Sequence, residues 1–278
     1  MIADQNPASN DMWFRETSDV AQFGFRRAGG SIHTSQTILA SNATLLIAAM
    51  GTEPAAWDRE AIRRKIVEDN LFGKRTESAR LGSLRDMIAL YGFDAPPPVT
   101  QAALAVWNTA SNRSLLLGML AVARDPILRA SAQVIFAAES GESISFRTMA
   151  ANLELEYPGR FSAGTLRAVG ERCVSSWGQT GHLTNDTQRR RTAAIPDPAL
   201  TGFAAFLAIC AGFSGAAILE SSWFRMLDVS SEQALSLLRR AEATGDIRLR
   251  IAGHVFDIDL AGNLASIVAA GERTHGLF

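Results

Sequence analysis

Three consecutive arginines, Arg189, Arg190 and Arg191, follow the turn-rich piece His182-Leu183-Thr184-Asn185-Asp186-Thr187. Cationic groups flanking a hairpin of that kind contact phosphates rather than read bases. Upstream, from about Ser162 to Gln179, Leu166, Val169, Cys173, Val174 and Trp177 recur at the spacing of one buried helix face, with Ser162 as N-cap. Thr165, Ala168, Arg172, Ser175 and Gln179 fall on the opposite face. An arginine there can pair with guanine edges and a glutamine with adenine, so Thr165, Arg172 and Gln179 are the residues expected to enter a major groove. The chemistry is hydrogen bonding to double-stranded DNA, with no covalent bond made or broken. The same periodicity also describes a helix packed in a bundle beside an arginine-bearing loop, and helix-turn-helix shapes serve in protein contacts as well. A helical protein–protein scaffold that does not bind DNA is therefore the second reading.

Sets of residues for covalent chemistry are missing. The chain has no Gly-rich phosphate loop with a following lysine, no cysteine pair at zinc spacing and no Gly-x-Ser-x-Gly elbow. His33, His182, His254 and His275 stand in dissimilar contexts. His33 has no metal-binding side chain three or four positions away, so a surface or capping role is expected for it. Asp257 and Asp259 share a strand face, where solvated ion pairs are expected rather than a metal. These observations predict a non-enzyme without metal or small-molecule cofactor.

The elements that must position these groups are mostly helices. Between Ser145 and Pro196 the pattern predicts a short helix over Phe146 to Leu155, a break at Tyr157-Pro158-Gly159, the helix from Ser162 to Gln179 and the basic tail. That is the order of a winged helix-turn-helix. Upstream, helices are expected over Ser31–Met50, Pro54–Glu68, Glu77–Tyr91, Val99–Thr109, Arg113–Ala123 and Pro126–Glu139. The connector Asn70–Thr76 and the triple-proline loop Gly92–Pro98 separate them. Leu200 to Leu219 carries no charge, but Gly212 to Gly215 interrupts it and Asp197 and Glu220 flank it, so no membrane span is expected. Helices over Ile218–Leu227 and Ser230–Thr244 precede an alternating pair, Ile247–Ile251 and Phe256–Leu260, which reads as a hairpin whose Arg248 or Arg250 pairs with Asp257 or Asp259.

The expected fold is therefore mainly α: an N-terminal helical bundle followed by winged helix-turn-helix-like modules with small β-hairpins. Residues 1–28 form an arm whose Trp13, Phe14, Phe23 and Phe25 dock on the body or a partner, with its first ten residues loose. Residues 29–140 form the bundle, 141–199 the winged module and 200–278 a second such module. With 47% hydrophobic and 20% charged residues among 278, the chain is a globular one with ample core. Cys173 and Cys210 lie in apolar helical patterns and act as small hydrophobes, and the acidic residues among the first thirty argue against a secretory signal. A cytoplasmic protein is expected. Net charge is −1, yet Arg59–Arg85 carries +4 and Ser145–Pro196 carries +3, so the remainder is strongly acidic.

The order of these pieces resembles the BrxA family, accessory proteins of the BREX (bacteriophage exclusion) defence systems. The resemblance rests on Asn70-Leu71-Phe72-Gly73-Lys74-Arg75-Thr76, on Ser162-x-x-Thr165 leading to Trp177 and Gly181-His182-Leu183, and on Ser222-Trp223-Phe224 with Ser230-Ser231-Glu232. It spans Gly30 to Leu260, and the chain departs from it in a longer aromatic arm and the triple-proline loop. It implies a largely helical, non-enzymatic protein that binds DNA beside other defence-system proteins, with Lys74 and Arg75 as further DNA contacts.

Overall fold

A computed structural model of the chain describes residues 12–16, 18–252 and 255–275. The first ten residues, expected to be loose, and Gly253 and His254 at the hairpin turn lie outside the described residues. In order the elements are α1 (Ala40–Met50), α2 (Arg59–Arg63) running on into a wider π turn (Arg64–Glu68), α3 (Glu77–Tyr91), α4 (Pro98–Val106), α5 (Arg113–Arg124), α6 (Pro126–Ala137), α7 (Phe146–Glu156) and α8 (Ala163–Gln179). They continue with α9 (Pro198–Cys210), the single turns α10 (Ala217–Glu220) and α11 (Ser222–Arg225), α12 (Ser231–Glu242), the antiparallel pair β1 (Ile247–Ala252) and β2 (Val255–Leu260), and α13 (Gly262–His275). No helix among the described residues is long and apolar enough to cross a membrane.

Local capping chemistry sets most helix starts. The side chains of Thr76, Asn112, Asp125, Ser145, Ser162 and Asp197 each accept a hydrogen bond from a first-turn amide, worth about 1 kcal/mol apiece. Ser230 adds a reciprocal bond from the Gln233 side chain. Three expectations fail where tertiary contacts overrule local pattern. Residues 31–50 are not one helix: a 3₁₀ turn at Ile32–Thr34 leads into a stretch ending at Leu39, whose φ of 51° starts α1 only at Ala40. The helix expected from Pro54 begins at Arg59, because Trp57 turns inward and donates its Nε1–H to Gly51 O at 3.2 Å while Asp58 caps. The helix expected over Ile218–Leu227 is broken by extended backbone at Ser221. α13 was not anticipated. Gly262 and Gly271 weaken its helical pattern, and it is held by burying Leu264 and Ile267 and by the seat of Gly271 on Pro98.

The buried side chains, from Trp13 to Ile267, form one continuous cluster. The aromatic arm belongs to it: Trp13, Phe14, Phe23 and Phe25 are all buried. The Trp13 ring lies 4.7 Å from that of Trp223, whose Nε1–H donates to Trp13 O at 2.9 Å. Two buried arginines clamp the arm through its carbonyls. Arg124 donates to Leu90 O at 2.7 Å and Gly24 O at 2.8 Å. Arg129 donates to Val122 O at 2.8 Å and to the carbonyls of Arg26 and Arg27, with its guanidinium 4.9 Å from the Phe14 ring centroid. Burial lowers both guanidinium pKa values to about 10, still cationic at neutral pH.

Candidate nucleic-acid interface

The basic tail is the middle member of a small ladder. On one side Gly141 N–H donates to Arg191 O at 2.9 Å, Arg191 N–H to Glu142 O at 2.7 Å and Ile144 N–H to Arg189 O at 3.0 Å. On the other, Thr184 N–H donates to Arg190 O at 2.8 Å and Thr192 N–H to His182 O at 2.9 Å. Residues 189–192 therefore run between residues 141–144, which lead into α7, and residues 182–184, which leave α8. The intervening turn is organised by Asp186, whose Oδ1 accepts from the Thr184 hydroxyl at 2.7 Å and from the amides of Gln188 and Arg189. Those hydrogen bonds, the Thr184 hydroxyl foremost, hold its carboxyl below the usual carboxylate range.

Extended backbone sends alternate side chains to opposite sides, and the arginines divide accordingly. Arg190 is exposed, and its main-chain N–H donates to the Thr184 hydroxyl at 2.9 Å. Arg189, at φ 48°, is half-buried and bonds Thr184 O at 3.3 Å and Asn185 Oδ1 at 3.2 Å. Arg191 overturns the expectation of a phosphate contact. It is 8% exposed, donates to Ile135 O at 3.0 Å and grips Asp228 through two bonds of 2.9 and 2.5 Å. A guanidinium so buried and paired is withdrawn from any phosphate at the surface. His182 lies beside this pair, bonded to Met226 O at 2.9 Å and to the Thr180 hydroxyl at 2.7 Å. Burial lowers its pKa to about 4.

The polar face of α8 is also largely occupied. Arg172 donates to Thr34 O at 2.8 Å, and Gln179 accepts from Ala40 N–H at 3.0 Å while donating to the Thr37 hydroxyl at 3.0 Å. Both were expected to read base edges; instead the segment between the 3₁₀ turn and α1 lies across them and uses their donors and acceptors. Thr165, in the first turn of α8, remains exposed.

His33 is the second correction on this face. Rather than a surface residue it is fully buried, with Nδ1 3.0 Å from Asp125 Oδ2 and Nε2 2.8 Å from Ser176 Oγ. Ser176 Oγ also accepts from Ile38 N–H at 3.1 Å. Serine, histidine and carboxylate stand in the order of a hydrolytic triad. All three are sealed in the core, so the set acts as a latch between residues 31–38, α6 and α8. Asp125 accepts further bonds from Ser31, Ile32 N–H and Leu128 N–H. Burial pushes its pKa up, but His33 and these donors outweigh that and hold it down to about 2.

Lys74 and Arg75 are exposed on a turn shaped by Asn70 (φ 50°) and Gly73 (φ 62°), with Lys74 N–H donating to Asn70 Oδ1 at 2.8 Å. Neighbouring cations are spent locally: Arg63 pairs with Glu68 and Lys65 with Asp69. Lys74 and Arg75 have no ion pair among the described residues. α3 and α8 both touch the Ile32–Thr34 turn and α5.

Two cations were not singled out from the sequence. Arg147 and Arg167 are exposed, and each guanidinium lies 5.0 Å from the Phe146 ring centroid. Arg167 also pairs with Glu171 at 3.0 Å. The approach of α7 to α8 that brings them together needs Gly170, where a Cβ would stand 2.6 Å from Phe146 O. The available signal was Arg147 directly after Phe146 at the start of α7, with Arg167 in the second turn of α8. Arg190 bridges to Ser143 through the main chain, two residues before the Ser145 cap of α7. Among the described residues no group of three or more His, Cys, Asp or Glu could hold a metal ion. No protein-family model matches the chain, and no curated protein matches it.

Proposed function

We propose that residues 141–192 are a winged helix-turn-helix and that the chain is a cytoplasmic, non-enzymatic protein that binds double-stranded DNA chiefly through its phosphates. The observation that carries this is the central place of residues 189–192 between residues 141–144 and 182–184, with α7 and α8 in between. Strand, two helices, strand, turn, strand is the winged order. In this reading Asn185–Gln188 is the wing tip. Arg147, Arg167 and Arg190 make the phosphate contacts, Thr165 approaches from the first turn of α8, and Lys74 and Arg75 extend the surface. Because Arg172 and Gln179 are engaged within the chain, the binding is largely independent of sequence. By its resemblance to the BrxA family, the chain acts beside other phage-defence proteins.

A mobility shift on a duplex of arbitrary sequence at two salt concentrations tests this. Replacing Arg147, Arg167 and Arg190 together by Ala should weaken binding to every duplex and flatten the salt dependence by about 2 to 3 in the log–log slope. Absence of any shift at low salt would remove the DNA reading. The covering of the polar face of α8 favours the scaffold alternative in that event, with a partner recovered from nuclease-treated lysate.

A further inference from the structure

The two edges of the β1–β2 ribbon are treated differently. On β1, the Leu249 N–H is taken by the Glu242 carboxylate of α12 at 2.8 Å. The same bond sets the parity of the ladder. Leu249 faces Ile258 in the register, and an amide bonded away from the partner strand marks a pair that is not hydrogen-bonded across the ribbon. Ala261 N–H donating to Asp246 O at 2.8 Å has the matching parity. The main-chain N–H and C=O groups of Phe256, Ile258 and Leu260 therefore point away from β1; Gly215 packs against Phe256 O, and those of Ile258 and Leu260 meet no hydrogen-bond partner among the described residues. Ile258 is only 3% exposed, so its open ladder groups are sheltered from bulk water. Groups in that position require a partner.

A groove of about 300 Å³ runs along this edge. Its wall on the β2 side is three consecutive residues, Ile258, Asp259 and Leu260; Ile209 of α9 also lines it, and α13 contributes Ala265 and Ala269, which leave room, with Val268 and Glu272. We propose that this groove binds an extended, basic peptide segment, which adds a third strand to β2 and lies against α13. Main-chain bonds supply the affinity of such strand addition and alternate side chains its specificity. The charges choose the occupant. Asp257 and Glu272 have no ion pair among the described residues, and Asp259 is held from the β1 side by Arg250. Lys or Arg opposite Asp257 and Asp259 would complete a basic–acidic–basic ladder, with small apolar residues facing Ala265 and Ala269. A second copy of β2 would set Asp257 and Asp259 against like charges, which disfavours self-association by this edge. The proposal is independent of the DNA reading.

The probe is a fluorescein-labelled Lys-Val-Lys-Val-Lys-Val peptide titrated with the full chain by anisotropy, with amide exchange of Ile258 and Leu260 followed in parallel. Saturable binding that slows exchange at both amides is expected. Methylating alternate peptide nitrogens, or filling the groove with Ala269→Phe, should weaken binding about tenfold or more. The double change Asp257→Asn with Glu272→Gln, which alters only side-chain charge, should weaken it as well and serves if Ala269→Phe does not fold. No saturable binding, equal binding of a Glu-Val-Glu-Val-Glu-Val peptide, or unchanged exchange at Ile258 and Leu260 would overturn the proposal.

Discussion

Arg190 and Arg191 are neighbours of identical chemistry, yet one faces solvent and the other is locked to Asp228. Their replacement should separate the two roles. Arg191→Ala leaves the largely covered Asp228 carboxylate without its cation, a loss of up to about 3 kcal/mol, read as a lower urea midpoint. Arg190→Ala should leave the midpoint unchanged within about 0.5 kcal/mol and weaken only the proposed DNA binding. Equal midpoints for the two variants would refute the assignment of Arg191 to the core. Arg124 and Arg129 follow the same logic as Arg191, spending their donors on backbone carbonyls of the arm. Composition counts all these residues as positive charge, although their burial withdraws them from any surface.

At the scale of elements, the α7–α8 pair depends on a backbone approach that only glycine permits. Gly170→Val should force α7 away from α8, because its Cβ would meet Phe146 O at 2.6 Å. The cost of such overpacking is about 1 to 3 kcal/mol. The expected signature is a drop in thermal midpoint and, under the proposed function, weaker DNA binding, since Arg147 and Arg167 lose their common support on Phe146. A variant as stable as the parent would show that the two helices are not in contact there. Helix bounds at Glu77–Tyr91 and Ser162–Gln179 were legible because each begins at a hydroxyl cap. The path of residues 35–39 was not, because it follows bonds to Ser176 and Gln179, more than 130 residues away.

Across the whole molecule, stability should depend on pH through His182. Its folded pKa is about 4, against 6.5 for the free side chain, so the unfolded chain binds the proton first. Stability is full above about pH 6.5 and falls as the pH drops towards 4, by up to about 3 kcal/mol for this group. Asp125, held down to about 2, stays charged through that window and contributes its loss only at lower pH. Urea midpoints at pH 7 and 4.5 should differ less in His182→Asn than in the parent; an identical difference would exclude His182 as the source.

Patterns within ten or twenty residues determined the helical class, most caps, the two-stranded ribbon and the burial of Cys173 and Cys210, since backbone hydrogen bonding and apolar periodicity act over that range. The resting place of each polar group was decided only by folding. Arg191 meets Asp228 and His33 meets Ser176 across 37 and 143 residues. Whether a charged or polar side chain faces a ligand or a core partner depends on which distant atoms fill its first few ångströms, and that is a property of the packed chain.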